Sequence, residues 1–356
     1  MTDSTKTNNS AALRVGLIGY GTAGRFFHAP LLATTPGLSL AAIVTSDAER
    51  GASARETYPG VQIVAKADEL WPLGLDLVVV ASPNKTHVPL ASAALEAGAA
   101  VVVDKPLAVD SADGRSLISL AEQRGLLLSV FQNRRWDGDF RTVAALIAAG
   151  RLGRVHRFES RFERWRPQLK GGWRELGDRA EGSGLLYDLG SHLVDQALTL
   201  FGPAVRVYAE ADVRRDGAQA DDDTFLALTH ADGTRSHLWA SATAASFGPR
   251  FRVLGSEAAY VSYGLDGQED ELRAGRTPAD ADFGVTPQSR YGKVGSEGEF
   301  ETYPTLPGRY TDYYAAVAAA LRGEGPLPVD PRDSVAALEV IEAARKSADE
   351  GRVVEL

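Results

Sequence analysis

Apolar and polar residues alternate in two different patterns along this chain. From Leu13 to Val130, short apolar runs alternate with segments of helical periodicity. The runs at 75–81 and 99–103 are almost entirely apolar, which is typical of strands buried on both faces. This alternation predicts an α/β fold with a doubly wound parallel sheet. The predicted strands lie at 13–18, 38–44, 61–64, 75–81, 100–103 and 127–131, and the helices at 23–34, 47–57, 85–97 and 110–124.

The pattern changes after about residue 131. Helices are predicted at 137–149, 184–201, 309–322 and 331–350. Strands are predicted at 154–164, 204–214, 222–230, 234–243, 250–255 and 258–263. Consecutive strands of this kind predict an α+β unit with a largely antiparallel sheet. Residues 264–308 are rich in glycine, proline and charge, so we expect long loops there, with room for one more strand.

One turn in the first half has the pattern of a dinucleotide-binding site. Gly19, Gly21 and Gly24 form G-x-G-x-x-G between the first predicted strand and helix. The first glycine permits a tight turn, the second lets a pyrophosphate approach, and the third lets helix and strand pack closely. The N–H groups at the start of the helix favour phosphate. We therefore predict a Rossmann domain at 11–131 that binds a nicotinamide cofactor, and a substrate-binding and oligomerisation domain at 132–356.

Composition limits the partners. The 356 residues, 44% of them hydrophobic, are enough for two cores. A net charge of -9 argues against binding to nucleic acid or to anionic membranes. The chain has no cysteine, which excludes disulfides and thiolate metal sites and fits a cytoplasmic protein. Residues 1–10 are polar and are expected to form a disordered tail and not a signal peptide, and no apolar run has transmembrane length.

Three residues are candidates for chemistry. Lys105 follows the fifth predicted strand, near the nicotinamide end of the expected cofactor, where its ammonium group can donate to a substrate oxygen. The alternative is a surface lysine at the start of a loop. Asp188 and His192 are four residues apart and would share one face of the helix predicted at 184–201. Histidine is the usual acid or base near neutral pH, but a surface pair or a satisfied core histidine is the competing interpretation.

The other polar clusters indicate no metal site. His28 and His87 lie near the expected cofactor and are weaker candidates. The remaining histidines, His156, His230 and His237, are isolated in predicted strands, and structural roles are expected for them. The acidic run 221–223 is expected to be a solvated charge run and not a metal site.

These motifs together resemble the Gfo/Idh/MocA family of nicotinamide-dependent oxidoreductases over nearly the whole chain. The matching segments are 19–24, 82–87, 104–106, 133–136, 188 with 192, and 351–354. Within the family the chain is similar to the scyllo-inositol dehydrogenase branch, through segments 26–31, 130–137, 173–175 and 187–192. The chain departs from the family at Asp104, where many members have glutamate. A shorter carboxylate there is expected to preserve activity.

The resemblance implies a fold, an activity and a set of site residues. It implies an open-faced sheet in the second domain, a homodimer or homotetramer, and NAD(P)-dependent oxidation of a secondary alcohol in a cyclitol or sugar, an inositol first of all. Lys105 would bridge substrate and nicotinamide, His192 would be the acid/base, and Asp188 would orient His192 or hold the substrate. The implied cofactor-binding residues are Gly19, Tyr20, Gly21, Thr22, Ala23, Gly24, Ser46, Asp47, Ser82, Asn84, His87, Lys105, Pro106, Trp173 and Arg174. The implied substrate-binding residues are Lys105, Asn133, Arg134, Trp136, Tyr187, Asp188 and His192.

Cofactor preference depends on the turn after the second strand. An acid in this turn binds the ribose 2′-hydroxyl of NAD, whereas a basic residue accepts the 2′-phosphate of NADP. Thr45 and Ser46 are small and would tolerate a phosphate, but Asp47 would repel it, and Arg50 would partly offset that repulsion. We expect NAD to be preferred, with NADP as the alternative.

Two other functions remain open on the same scaffold. Some relatives use tightly held NAD transiently to cleave glycosides without net redox change, but no paired-carboxylate site is evident in this sequence. Other relatives are non-catalytic regulators that bind the cofactor. Retention of Lys105, Asp188 and His192 argues against that role.

Overall fold

The computed structural model describes residues 11–356, which form two sheets. The tail expected at 1–10 lies outside the described residues. The first sheet has six parallel strands, which confirms the predicted doubly wound parallel sheet, and their order is β3-β2-β1-β4-β5-β6. These strands are β1 (Leu13–Ile18), β2 (Leu38–Val44), β3 (Gln62–Val64), β4 (Leu77–Val80), β5 (Ala100–Asp104) and β6 (Leu128–Phe131).

Helices cover both faces of this sheet. The first begins as a π-helix at Ala23–His28 and continues as α1 (Ala29–Thr34). The others are α2 (Ala48–Thr57), α3 (His87–Glu96) and α4 (Ser111–Arg124), with 3-10 turns at Ala67–Leu73, Asn84–Thr86 and Asn133–Trp136. The central strand β4 is fully enclosed, which explains its unbroken apolar sequence.

The chain reverses its direction of winding at β1, which lies between β2 and β4. Ile18 pairs with Val44 on one side and with Val80 on the other. In doubly wound sheets the ligand crevice opens at such a switch point, beyond the carboxyl ends of the strands. The glycine turn follows β1 at this position.

The second sheet has nine strands in the order β14-β13-β12-β11-β7-β10-β9-β8-β15. Pairing is antiparallel except between β7 and β10, which confirms the prediction of a largely antiparallel sheet. The strands are β7 (Val155–Glu163), β8 (Ala204–Asp212), β9 (Asp223–His230), β10 (Arg235–Ser241), β11 (Phe251–Gly255), β12 (Ala259–Ser262), β13 (Gly292–Ser296), β14 (Glu299–Tyr303) and β15 (Val354–Glu355). The helices are α5 (Gly138–Ala148), α6 (Trp173–Leu176), α7 (Leu185–Asp188), α8 (Gly190–Phe201), α9 (Gln268–Arg273), α10 (Tyr310–Leu321) and α11 (Pro331–Glu350), with 3-10 turns at Arg179–Glu181 and Gln288–Arg290.

One face of the second sheet is covered and the other is open. Helices α8 and α11 pack on the covered face. On the opposite face the rings of Phe225 and Trp239 pack at a tilt of 37° with centroids 5.1 Å apart, and the Arg161 guanidinium lies 3.9 Å from the centre of the Trp239 ring. The open face matches the open-faced sheet that the family resemblance implies.

Two expectations about the second half need correction. Residues 264–308 contain the β13–β14 hairpin and helix α9, where we expected room for one strand. The hairpin escaped notice because β14 is exposed and charged and has no alternating apolar pattern. The helix expected at 184–201 is also broken, since α7 ends at Asp188 and α8 begins at Gly190.

The last two helices join the two halves of the molecule. Tyr314 of α10 lies 2.6 Å from Nδ1 of His28. In α11, Glu342 accepts hydrogen bonds from the backbone N–H and the hydroxyl of Ser111. These contacts cross any division at residue 131, so the domain boundary stays a prediction.

Candidate active site

A cavity of about 700 Å³ lies between the carboxyl ends of the first sheet and the second sheet. Thr22 and Lys105 line it from the first half of the chain, and Asp188, His192 and Ser241 line it from the second. The cavity therefore lies where doubly wound sheets bind ligands.

The glycine turn at one end of this cavity fits a dinucleotide. Gly19 has a φ of +96°, and a Cβ on it would lie 2.4 Å from the carbonyl oxygen of Ala81. A Cβ on Gly24 would lie 1.9 Å from the carbonyl oxygen of Gly19. Gly21 is different, because a Cβ there would meet only Arg50, at 3.9 Å. Two glycines thus permit close packing, and the third leaves the backbone open to an approaching diphosphate.

Lys105 and Asp188 meet in the cavity although they are far apart in the sequence. The Lys105 ammonium donates to the backbone carbonyl of Asp188 at 2.6 Å and to its carboxylate at 3.1 Å. Arg174 donates to the same carboxylate oxygen at 3.1 Å. The competing interpretation of Lys105 as a surface lysine is wrong, because its side chain is only 13% exposed.

The break between α7 and α8 brings His192 to the same place. Asp188 ends one helix, and the His192 N–H donates to the carbonyl of Leu189 in the first turn of the next. The spacing predicted that Asp188 and His192 share one face of a continuous helix. That prediction is wrong, because they belong to two different helices. The Asp188 carboxylate contacts Lys105 and Arg174, and Nδ1 of His192 is buried without a partner among the described residues.

Burial and charge set the protonation of these groups. Burial, followed by the charges of Lys105 and Arg134, holds the pKa of His192 well below its usual value. The imidazole is therefore neutral at pH 7 and able to accept a proton. Burial alone would raise the pKa of Asp188, but Lys105 and Arg174 outweigh it and hold that pKa below its usual range. Asp188 is therefore ionised.

The other predicted cofactor residues hold the turns around the cavity. His87 contacts two backbone carbonyls, of Pro106 at 2.8 Å and of Ser82 at 2.9 Å. The Asn84 amide donates to the carbonyl of Gly182, which ties the two halves together. Tyr20 is buried in the core of the first half. None of these five residues lines the cavity, and cofactor contact by them stays a prediction.

The turn after β2 places its charges at the mouth of the glycine turn. Asp47 caps α2 by accepting a hydrogen bond from the Arg50 N–H at 3.0 Å. The same two side chains form an exposed ion pair at 3.4 Å, beside Ser46. Arg50 is also the residue nearest the open side of Gly21.

The predicted substrate residues divide into two groups. Asn133 and Arg134 line the cavity, together with Trp173 and Arg174, which were predicted for the cofactor. Arg134 is held by Glu269 of α9 at 2.5 Å. Trp136 and Tyr187 lie outside the cavity lining.

Both of these aromatic residues pack against the closing helices of the chain. Trp136 contacts the ring of Tyr313, and Tyr187 lies under the guanidinium of Arg345. Their substrate contacts therefore stay predictions.

The cavity is also lined by polar residues that the sequence analysis did not predict as site residues. Arg164, Arg166, Lys170, Arg215 and Glu269 line the cavity, and they come from three separate segments. Only the i, i+2 spacing of the first two arginines, just after a predicted strand, signals that they share one side.

A second group lies behind Lys105. His28 is fully buried, with Nε2 3.6 Å from Asp104, whose carboxylate accepts a hydrogen bond from the Lys105 N–H at 2.9 Å. Burial raises the pKa of Asp104, but His28 and Lys105 outweigh it and lower that pKa. The shorter carboxylate of this chain is therefore paired with a histidine from the first helix.

The acidic run 221–223 is not the solvated run that we expected. Asp221 and Asp222 are buried. Asp221 accepts a hydrogen bond from the Leu186 N–H, and Asp222 accepts from Nε of Arg215 at 2.9 Å. Buried carboxylates require such partners, and these two hold loops beside the cavity. Within residues 11–356, no three His, Asp or Glu side chains are arranged to hold a metal ion.

The fold and the site define a class: a Rossmann-type oxidoreductase that binds a nicotinamide dinucleotide. Residues 13–132 match the model of the oxidoreductase family NAD-binding Rossmann fold, and residues 144–356 match that of the family's C-terminal alpha/beta domain. The chain belongs to the Gfo/Idh/MocA family. The resemblance inferred from the motifs is thereby confirmed, and the protein is an NAD(P)-dependent oxidoreductase.

Three relatives span nearly the whole chain. The uncharacterized oxidoreductase YdgJ of Escherichia coli is 45% identical over 94% of this chain and 96% of its own. The scyllo-inositol 2-dehydrogenase (NADP(+)) IolW of Bacillus subtilis is 35% identical over 97% of this chain and 96% of its own. The solved structure of yvaA from Bacillus subtilis superposes with a TM-score of 0.92 at 34% identity, over 97% of this chain and 99% of that chain. No helix in the described part of the chain is long and apolar enough to cross a membrane.

Proposed function

We propose that the protein transfers hydride between a nicotinamide cofactor and a secondary alcohol or ketone of a cyclitol or sugar. The observation that carries this proposal is the meeting of Lys105, Asp188 and His192 in one cavity beside the glycine turn. An inositol is the first candidate substrate, since the relative IolW bears the name of a scyllo-inositol 2-dehydrogenase.

The protein's own residues handle the proton and the charge. A bound nicotinamide supplies the hydride chemistry at the reacting carbon. His192, neutral at pH 7, accepts the hydroxyl proton during oxidation and returns it during reduction. Lys105 donates to the substrate oxygen and stabilises the negative charge that develops there.

Asp188 acts on Lys105. Its backbone carbonyl and carboxylate together hold the ammonium group, and Arg174 holds the carboxylate from the other side. Holding a donor in place before the reaction lowers the reorganisation needed as charge develops. Asp188 was predicted to orient His192 or to hold the substrate; its contacts instead support a third role, the orientation of Lys105.

The cofactor would lie along the carboxyl edge of the first sheet. Its diphosphate would approach the backbone at Gly21, in the turn that Gly19 and Gly24 shape, and Asp47 would contact the ribose of NAD, our expected cofactor. Pro106 and Arg174 would face its nicotinamide end.

The experiment follows the absorbance of reduced nicotinamide during incubation with scyllo-inositol, myo-inositol and a panel of sugars. Net reduction of NAD or NADP by one of these polyols is the expected result. Cleavage of glycosides without net reduction, or cofactor binding with no reaction of any polyol, would overturn the proposal in favour of one of the other scaffold functions.

We also propose that the protein is a cytoplasmic homodimer or homotetramer that uses the open face of the second sheet. Half-exposed aromatic side chains such as Phe225 and Trp239 on that face support this assembly. Light scattering should give a multiple of the 37.9 kDa chain mass. A single-chain particle at micromolar concentration would contradict it.

A further inference from the structure

The cations that line the cavity fall into two groups. Lys105, Arg134 and Arg215 each contact a carboxylate at 3.1 Å or less. Arg164 and Arg166 also line the cavity, but neither side chain has an ion pair or a hydrogen bond with any residue in the range 11–356. Lys170 lines the cavity as well and has no side-chain partner among those residues, so the wall carries three positive charges that the described protein does not pair. Arg166 and Lys170 are exposed, whereas Arg164 is partly buried.

Backbone geometry directs both of these arginines to the same side. The two residues follow directly after β7, and their N–H groups donate to the carbonyls of Ser241 and Ala242, each at 2.8 Å. Side chains at i and i+2 of an extended segment point the same way. The residue between them, Trp165, is 54% exposed on the other side. The pair is thus built into the end of the sheet and is not carried by a loose loop.

The surroundings of Arg164 leave its charge poorly compensated. Burial, followed by the like charge of Arg166, lowers the pKa of the Arg164 guanidinium, although it remains charged at pH 7. The nearest carboxylates are already engaged, since Asp188 binds Lys105 and Arg174, and Glu269 binds Arg134 and Arg273. An anion between the two guanidinium groups would restore the balance, and arginine binds carboxylate and phosphate through paired hydrogen bonds.

We infer that Arg164 and Arg166 form an anion subsite that binds a carboxylate or phosphate on the substrate. Within the proposed class of cyclitols and sugars, the enzyme would then prefer anionic members to neutral ones, including the neutral inositol that the name of IolW suggests. Placing this group on a substrate rests on the proposed function; the binding of the anion does not. The reacting carbon still loses hydride to the nicotinamide, and its hydroxyl loses a proton to His192. The anionic group keeps its charge throughout and serves only for binding and orientation.

The test uses three probes that differ at one carbon: glucose, glucuronate and glucose 6-phosphate. Calorimetry is done with saturating NADH, because the reduced cofactor fills the diphosphate site and prevents oxidation of the sugar. The wild type should bind at least one of the two anions more tightly than glucose, by a factor of about ten at least. If glucuronate binds more tightly, the subsite prefers a carboxylate; if glucose 6-phosphate binds more tightly, it prefers a phosphate. Inorganic phosphate serves as a probe without a sugar.

The variant Arg164→Gln should weaken binding of the preferred anion by about 10–100-fold and leave glucose binding unchanged. The matched control is Arg157→Gln, which changes an exposed arginine on β7, the strand that Arg164 follows. This variant should change neither anion binding nor glucose binding. Thermal melting shows whether each variant is folded. Arg166→Gln should also weaken binding of the preferred anion. It replaces Arg164→Gln as the test if that variant does not fold.

Three results would overturn the inference. Equal affinity of the wild type for glucose and for both anions, or no binding of any anion including phosphate, would show that solvent alone balances the arginines. A loss of NADH affinity in Arg164→Gln equal to the loss of anion affinity would assign the pair to the cofactor diphosphate. Failure of hydride transfer with intact anion binding would instead sink the proposed function and leave the subsite standing.

Discussion

The two walls of the cavity recognise ligands by different means. The wall from the first sheet presents backbone, and its key residues are glycines, of which Gly21 leaves the backbone open to approach beside an exposed Asp47–Arg50 pair. The wall from the second half presents charged side chains, among them Arg134, Arg164 and Asp188. A backbone site suits a ligand that is the same in many enzymes, whereas a side-chain site is free to vary with the substrate.

The difference also concerns how each wall is held. Gly19 and Gly24 are enclosed by backbone atoms, so any side chain there would displace the turn itself. The charged wall is held by ion pairs, such as that of Arg134 with Glu269, which reach across to separate elements. Substitutions should therefore damage folding and cofactor binding on the first wall, and catalysis and substrate choice on the second.

The largest effect is expected where the two walls meet. Lys105→Ala removes the donor to the substrate oxygen, and His192→Ala removes the acid/base. Each should lower turnover by ~10²–10⁴-fold, about 3–5 kcal/mol of transition-state stabilisation, as measured by steady-state kinetics. Cofactor affinity should survive His192→Ala, because that residue belongs to the second wall.

Two exposed residues give matched controls for these variants. Lys85 forms an exposed ion pair with Glu181, and His156 lies exposed on β7. Alanine at either position should leave turnover near that of the wild type. Near-normal turnover in both Lys105→Ala and His192→Ala would remove the assignment of these residues to catalysis.

The glycine turn should separate folding from binding. Gly24→Ala places a Cβ 1.9 Å from the Gly19 carbonyl and should cost about 1–3 kcal/mol of unfolding free energy. Gly21→Val points into open space, so stability should hold while cofactor affinity falls by ~10-fold or more. Gly325→Ala, whose Cβ would meet only Ala319 at 4.0 Å, is the control. If the two variants Gly21→Val and Gly24→Ala lost the same amount of stability, the assignment of Gly24 to packing and of Gly21 to ligand approach would be wrong.

The pH dependence of oxidation reports on the second wall. The neutral form of His192 is the base, and protonation removes it as pH falls. Because burial and the neighbouring cations Lys105 and Arg134 lower its pKa below 6.5, kcat/KM should stay flat from about pH 8 to pH 6.5 and decline only below that. An acid limb centred at or above pH 6.5 that vanishes in His192→Gln would show that the imidazole is more solvated than the structure indicates.

The first wall was largely predictable from sequence because its determinants are local. A strand, three glycines and a helix lie within sixteen consecutive residues, 13–28, and the packing that each glycine permits follows from that spacing. The parallel, doubly wound sheet follows in the same way from alternating apolar runs, whereas the order of its strands came only from the structure. The prediction of one helix at 184–201 was wrong at Leu189, because the break there is marked only by Gly190 and Ser191, and an isolated glycine is tolerated in many helices.

The second wall was not predictable in this way because its determinants are distant in the chain. Arg164 follows β7, Arg215 lies between β8 and β9, and Glu269 lies in α9, and only the sheet order brings them to one cavity. Asp222 looked solvated because a carboxylate run usually is, yet its partner Arg215 is buried with it. The sequence alone marked Asp188 and His192 only as candidates. Their specific roles were predicted from the resemblance to the family.

The smallest effect is expected for cofactor preference. On this part of the first wall, charged side chains lie next to the open backbone of the glycine turn. Asp47 is both the cap of α2 and the charge that would repel a 2′-phosphate, while Arg50 lies beside the open Gly21. Asp47→Asn keeps the cap and removes the charge, so stability should hold while the ratio of kcat/KM for NADP over NAD rises by ~2–10-fold. Asp47→Arg should raise the ratio further, and Arg50→Gln should lower it. Steady-state kinetics with both cofactors on one polyol measures the ratio, and the NADP(+) in the name of the relative IolW makes the wild-type value itself informative. A wild type that strongly prefers NADP, or an Asp47→Arg variant whose preference does not move, would show that side chains elsewhere on this wall read the ribose.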